Sequence, residues 1–554
     1  MTMRWLILLL AGIVHAQTFS SDLFPASLLA PIQLLMLATL FGYIFAQPRY
    51  AIRYSFAFSI SHFCSGIYWL FISMNTYGGL SAPLAAAAVF LLSFYLSLYP
   101  MLAGAIFRYL SKKISSTDRV TKDFNSPLST TNTGTSPSTP KAAATVGNAI
   151  LIASAWALCE WLRGTVLTGF PWLNIAYAHV DGPLSGWASL WGAYGVAWLA
   201  AFIAALLVVG VLRFSWQKWM LVALILIAGQ LVKSFPWSSP IGDALPVRLV
   251  QGNIDQHEKF SPITMLPSIM RNFELANQPA KNPFNPPKVV IFPETIIPTY
   301  QNQLPPEIWQ HIIDQARVQQ ATYFIGSAYA EDSLSGVPMI TNSILVVDGT
   351  TPIEALYRGG VPHYDKRHLV PFGEYIPTGF HWFVHALGIP LGDFNLGNRL
   401  QANILINQQA LAPNICYEDI FGEELLNDLF PTTLSTSMGI QPYPGATILF
   451  NVSNLGWFGN SSALGQHLQM ARMRAVETAR PMLRATNTGA TAYINEKGDI
   501  VDKLPYLQAG VLDVDIQGMT GLTPYAQAKN APFLIFVVFT LIVATIQRIR
   551  KRRQ

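Results

Sequence analysis

A lone cysteine ends an apolar run in Pro413-Asn414-Ile415-Cys416-Tyr417-Glu418-Asp419, and an acid stands two residues beyond it. A thiol attacks as thiolate, so a cysteine placed for chemistry needs a base or a cation beside it. Two other stretches can supply these. Val289-Val290-Ile291-Phe292-Pro293-Glu294 is a buried-strand run ending in a carboxylate; Pro293 cannot donate to a sheet ladder and so marks the strand's end. Tyr364-Asp365-Lys366-Arg367-His368-Leu369-Val370-Pro371-Phe372-Gly373-Glu374 carries a lysine and a second carboxylate. In this constellation Cys416 is a candidate nucleophile. Glu294 is a candidate general base, with a pKa that an apolar surround would raise. Lys366 is a candidate cation that steadies an oxyanion and depresses the thiol pKa. Each also has a plain reading: a small buried hydrophobe, a solvated acid after an edge strand, a polar loop. Glu374 reads equally as a turn acid. Glu418 could share a strand face with Cys416, but a solvent-facing acid is the default there.

What positions these residues follows from the bulk of the chain. Its 554 residues are 51% hydrophobic and 12% charged, with a mean hydropathy of +0.34. Soluble domains carry about 25% charged residues, so the composition is that of an integral membrane protein. The net charge of +5 sits largely in short basic runs beside apolar segments. That pattern argues for membrane orientation and against a nucleic-acid partner. Of three cysteines, Cys64 and Cys159 fall in apolar segments and Cys416 stands alone in the polar part. No CxxC or His/Cys cluster points to zinc.

Apolar segments at 5–16, 25–46, 54–74, 82–106, 146–167, 187–212, 219–232 and 532–546 read as about eight spans. The first ends in Val14-His15-Ala16, much like a signal-peptidase site; a retained helix is the favoured reading. Lys and Arg gather in alternate connections and in the tail Arg548-Ile549-Arg550-Lys551-Arg552-Arg553, which puts those on the cytoplasmic side and the large polar segment outside. The expected organisation is therefore a membrane α-helical bundle at 1–240, with a disordered linker at 111–145, an extracytoplasmic α/β domain at 246–523, and a last span with its basic tail at 531–554.

In the polar part, short apolar runs at 247–250, 289–292, 323–326, 343–347, 412–416, 448–452 and 491–494 read as buried strands, with helices at 305–319 and 466–483 between them. Asn451-Val452-Ser453-Asn454-Leu455-Gly456-Trp457-Phe458-Gly459 could line a cleft or simply be a loop. In 466–484, Arg474 and Glu477 are spaced to pair on a helix surface, and a solvated face is the default for that stretch. Glu160 and Arg163, three apart near the outer end of the fifth span, either pair structurally or meet a lipid headgroup.

Taken together these stretches resemble the apolipoprotein N-acyltransferases, the membrane-bound branch of the nitrilase (carbon–nitrogen hydrolase) superfamily. The resemblance runs from Ser65-Gly66-Ile67-Tyr68-Trp69 and Val166-Leu167-Thr168-Gly169-Phe170-Pro171-Trp172, through Gln251-Gly252-Asn253, Pro293-Glu294, His368 to Glu374, Ile415-Cys416-Tyr417-Glu418 and Trp457-Phe458-Gly459, to Gly521-Leu522-Thr523-Pro524-Tyr525-Ala526. It implies a nitrilase-like αββα sandwich on an eight-helix base. It also implies a Glu294–Lys366–Cys416 triad, a further essential acid at Glu374, and Tyr417 and Glu418 flanking the nucleophile. The implied reaction moves an acyl chain from a membrane phospholipid, by way of a cysteine thioester, to the N-terminal amine of a diacylglyceryl-cysteine apolipoprotein, without a cofactor. The implied setting is the bacterial inner membrane, with the catalytic domain on the periplasmic side and the chain a monomer among membrane lipids. The chain departs from the family in having Lys259-Phe260 and Phe292-Pro293-Glu294 where Trp often stands, keeping a ring but not an indole N–H. Asp419 stands where an apolar residue is common. Two other readings are a membrane-tethered nitrilase-type amidase using water as acceptor, and a non-catalytic receptor or transporter.

Overall fold

Apolar runs fold as helices in the N-terminal part because a helix satisfies its backbone hydrogen bonds within the segment. In the computed structural model these are α1 (Thr2–Ala16), α2 (Ala26–Ala46), α3 (Ala51–Gly66), α4 (Ala82–Leu110), α5 (Val146–Arg163), α6 (Ala188–Leu212) and α7 (Trp216–Ser234). The structure describes residues 2–20, 22–111, 144–331, 338–377, 379, 394–436 and 439–553, so nearly all of the expected linker, 112–143, lies outside the described residues. Among the described residues, Ala26–Ala46, Ala82–Leu110, Pro183–Leu212 and Ala531–Arg550 are long and apolar enough to cross a membrane. A fifth span results if Pro48–Gly66 and Trp69–Tyr77, bent by 46°, count as one. The other expected spans are helical but fall short of that test; α5 carries Glu160 and Arg163, and α7 has Gln and Lys towards both ends. The third expected span breaks after Gly66, where an added Cβ would lie 2.4 Å from the Leu173 side chain.

In the polar part the chain forms β1 (Leu245–Gln251), α8 (Met265–Ala276), β2 (Val289–Ile291), β3 (Ile297–Tyr300), α9 (Pro306–Gln319), β4 (Thr322–Glu331), β5 (Met339–Val347) and β6 (His363–Asp365). Then follow β7 (Ile404–Ile406), β8 (Gln409–Ile415), β9 (Ile448–Ser453), α10 (Ala463–Thr478), β10 (Met482–Thr486), β11 (Ala492–Ile494), β12 (Ile500–Lys503), β13 (Gly510–Ile516) and the final helix α11 (Ala531–Arg553). One sheet has the order β13-β1-β2-β4-β5-β6 with β3 beside β4; the other has the order β12-β11-β10-β9-β8-β7. In both, the strands at the centre run parallel and the outer ones antiparallel.

Side chains alternate across each strand, so each sheet has two apolar faces to cover. Val247, Leu249, Ile291 and Phe324 of the first sheet meet Leu411, Ile415, Phe450 and Leu483 of the second in one core. Phe324 and Phe450 touch edge to face at 5.0 Å between centroids. Outside the first sheet, α8 and α9 bring Ile269, Phe273, Trp309 and Ile312 onto Val290, Tyr323 and Leu345. Outside the second, α10 brings Leu468, Ala471 and Ala475 onto Ala412, Leu449 and Met482. The result is the expected αββα sandwich.

The stretch 466–484 corrects two expectations. The helix ends at Thr478, Ala479 turns left-handed, and a strand begins at Met482. Every residue of α10 is buried, not solvated. The reason is that Met470, Met473 and Val476, on the face away from the sheet, pack into the core of the membrane helices. The Arg474–Glu477 pair does form, 3.0 Å between Nε and Oε2, and Oε1 of Glu477 accepts from the N–H of Ala193 on α6. Glu160 and Arg163 also pair with each other, and Nη1 of Arg163 donates to the carbonyls of Phe170 and Trp172. That pair anchors the loop after α5, and with exposures of 7% and 2% it is buried within the protein, which is the structural-pair reading.

Candidate active site

Three strand ends converge on one buried polar site. Glu294 follows β2, where Pro293 stops the ladder. Gly326 on β4 permits the close approach of that segment: an added Cβ there would lie 2.5 Å from the carbonyl of Pro293. Oε1 of Glu294 accepts from Asn342 Nδ2 at 2.9 Å and lies 3.3 Å from Lys366 Nζ, while Oε2 accepts from the N–H of Asn454 at 2.9 Å. Lys366 follows β6 at 1% exposure, and its Nζ donates to Oε1 of Glu374 at 2.8 Å. Asn342 closes the circuit by donating to the same Glu374 oxygen at 2.7 Å. Oε2 of Glu374 accepts from the N–H of Val370 at 2.8 Å, so this acid closes its own turn and grips the lysine at once.

Cys416 directly follows β8 in a left-handed turn, φ 52, and is partly exposed. A non-glycine residue there is strained by about 1–3 kcal/mol and persists only where its surroundings impose it. The thiol lies within electrostatic reach of Glu294, Lys366 and Glu374. Burial, then the Glu294 charge, push it well above the usual thiol value, and Lys366 only opposes them. Lys366 does lower the thiol, as expected, but burial and the Glu294 charge outweigh it. The Glu294 carboxyl moves against expectation. Burial alone would raise it, but the Lys366 ammonium, Asn342 and the Asn454 N–H together hold it below the ordinary value. Burial likewise works against the Lys366 ammonium, and Glu374 and Glu294 outweigh it, keeping the lysine charged.

Glu418 is not the solvent-facing acid expected by default. At 2% exposure it accepts from the N–H groups of Ile415, Arg367 and His368 and from the Tyr364 hydroxyl. It therefore ties the segment bearing Lys366 to the strand bearing Cys416. Tyr417 points elsewhere: its hydroxyl donates to the Gly169 carbonyl at 3.2 Å, in the loop after α5, and its ring packs on Phe421.

The comparisons with known proteins agree from end to end. Residues 11–206 match the family described as apolipoprotein N-acyltransferase N-terminal domain, and residues 247–525 match carbon–nitrogen hydrolase. An apolipoprotein N-acyltransferase of Bordetella bronchiseptica is 44% identical over 564 residues, covering 99% of this chain and 97% of that protein. This chain belongs to the apolipoprotein N-acyltransferase family. Another member, from Ralstonia nicotianae, is 38% identical over 98% of this chain and 93% of its own. Among solved structures, an amidase from Nesterenkonia sp. is similar at 16% identity and a TM-score of 0.32, covering 53% of this chain and 97% of that one. As a member of the apolipoprotein N-acyltransferase family the protein is an acyltransferase with a nitrilase-type domain. The amidase alternative is not favoured, since the match extends through the apolar N-terminal part as well.

Two features that no motif flagged complete the site. Asn342 sits within the apolar strand β5, where the polar Thr341-Asn342-Ser343 was the available signal. Lys259, noted in sequence only as the neighbour of Phe260, is 3% exposed and its Nζ donates to the Glu294 carbonyl at 3.1 Å. Burial lowers its ammonium to about 7, with Glu294 and Cys416 opposing.

Proposed function

We propose that the protein moves one acyl chain from a membrane phospholipid to the α-amine of a diacylglyceryl-cysteine apolipoprotein, through a thioester on Cys416. The observation that carries this reading is the Lys366 ammonium held between Glu294 and Glu374, beside a thiol presented on a strained strand end.

At rest the thiol is protonated and Glu294 is ionised, as their opposed shifts favour. The proton therefore leaves as the sulfur attacks the ester carbonyl, and Glu294 receives it. Lys366 faces the negative charge that grows on the carbonyl oxygen. The C–O bond breaks, the lysophospholipid oxygen takes the proton from Glu294, and the acyl chain stays on sulfur. The free amine of the lipoprotein then attacks the thioester. Its surplus proton passes to Glu294 as the C–N bond forms, the C–S bond breaks, and the thiol is restored. Both substrates are lipids, which is the physical reason for fusing such a domain to apolar helices.

In this reading residues 1–240 and 531–554 form the membrane part and 246–523 the catalytic domain. The alternation of Lys and Arg between connections supports a periplasmic placement of that domain on the inner membrane, with a monomer as the working unit. The test is Cys416→Ala supplied with phospholipid carrying a radiolabelled acyl chain. No label should remain on the variant, and a labelled Cys416→Ala would remove Cys416 as the nucleophile.

A further inference from the structure

Beneath the nucleophile lies a buried charge cluster that the cycle above leaves unused. Asp419 and Arg484 are 0% exposed and His467 is 1% exposed. Oδ2 of Asp419 accepts from Nη1 of Arg484 at 2.5 Å, and Oδ1 lies 3.0 Å from Nε2 of His467. Nη2 of Arg484 lies 2.5 Å from Nδ1 of His467. A guanidinium can only donate, so Nδ1 accepts and the imidazole proton sits on Nε2, facing Asp419.

Strand register explains why these groups meet. Asn414, Asn451 and Arg484 are lateral partners on β8, β9 and β10. Two residues earlier on each strand, Ala412, Leu449 and Met482 face α10, so this polar row lies on the same face, under the helix that carries His467. Asn451 donates to Asn414 Oδ1 at 2.6 Å and to the Cys416 carbonyl at 3.1 Å. The row thus grips both sides of the turn: Asn451 holds the carbonyl of Cys416, and Arg484 with His467 holds Asp419, three residues on. On its other side the His467 ring stacks on Trp172, centroids 5.5 Å apart and planes 12° apart. The Trp172 carbonyl accepts from Arg163, at the end of α5, at 2.6 Å.

We infer that Asp419, Arg484 and His467 form a positioning unit that imposes the left-handed turn at Cys416 and ties it, through Trp172, to the loop rising from the membrane helices. The inference rests on Cys416 being the nucleophile. It gives the acid at 419 a use: an apolar residue there would leave the Arg484 charge buried without its partner.

The test uses the full chain in detergent, comparing Asp419→Asn with the wild type. Steady-state transfer gives kcat and KM, and the alkylation rate of Cys416 by iodoacetamide is followed against pH. The charged groups facing the thiol are Glu294, Lys366, Glu374, Asp419 and Lys259. Only Asp419 changes, and Arg484 loses its counter-charge. We expect kcat to fall at least about tenfold with KM held within about twofold, and the alkylation profile to move to lower pH. Wild-type kcat with an unmoved profile, whatever the melting temperature, overturns the inference. Should Asp419→Asn fail to accumulate, His467→Gln replaces it: the Asp419–Arg484 pair stays and the Trp172 stack goes. A fall in kcat supports the unit, and wild-type kcat overturns it. Acyl label on Cys416→Ala would defeat the underlying reading. An unlabelled Cys416→Ala beside a wild-type Asp419→Asn would defeat only this one.

Discussion

Nζ of Lys366 lies 2.8 Å from Oε1 of Glu374, in a site where the ammonium is 1% exposed. A single buried ammonium beside a single carboxylate would be a neutral pair. Here a second carboxylate, Glu294, lies 3.3 Å away on the other side, so one of the two acids is free to act as a base without stranding the lysine. In the proposed cycle Glu374 neutralises the lysine and Glu294 takes the proton.

Lys366→Arg tests the shape of that arrangement. The charge survives, but a planar fork replaces a point donor between two carboxylates. We expect the rate of acyl-enzyme formation to fall about 10²–10³-fold, the size of losing one oxyanion donor. Rapid-quench measurement of the first turnover checks this, and a near-normal rate removes Lys366 from the mechanism.

Asn342→Leu keeps the volume and removes the amide that, beside Lys366, donates to both Glu294 and Glu374. Leaving both buried oxygens short of a donor costs about 1–3 kcal/mol. Denaturant unfolding should register that loss, together with slower acylation. Unchanged stability would show that the two acids do not depend on the bridge.

The acid side of the pH profile follows from Glu294. Its folded pKa is held below the ordinary value, so the base stays ionised until the pH falls through that lower value. The stability linked to it is present above the unfolded carboxyl value, about 4.3, and is lost on the same descent. Single-turnover acylation should therefore keep its rate down to about pH 5. An acid limb near neutrality would mean that another group supplies the base.

Lys259 gives the opposite sign. Burial lowers its folded value to about 7, against about 10.4 unfolded, so between those limits the unfolded chain binds the extra proton. Stability should rise with pH across that window. Lys259→Met should flatten the rise in melting temperature between pH 7 and 10, and a variant that keeps the full slope would assign it to other groups.

Much of this was legible in sequence because the relevant signals are local. Short apolar runs placed β2, β8 and β9, with Pro293 closing the first, and the runs ending in Glu294 and Cys416 bring those side chains to one site. What was missed is set by packing. Glu418 has the pattern of an exposed acid, and only the fold shows three N–H groups aimed at it. α10 reads as amphipathic and solvated, yet it lies between a sheet and a helix bundle, so its charges pair inside. The direction of the Cys416 and Glu294 shifts depends on which of burial and neighbouring charge is larger, and that balance has no signature in the order of residues. Asp419 became intelligible once β10 set Arg484 beside it.

Intact-protein mass spectrometry after incubation with phospholipid, without an acceptor, reads the central step directly. We expect the wild-type mass to increase by one acyl chain, the adduct to be released by hydroxylamine as a thioester is, and neither change in Cys416→Ala. An unmodified wild-type enzyme that still transfers acyl chains at full rate, or an adduct that survives the loss of Cys416, would contradict a thioester on this residue.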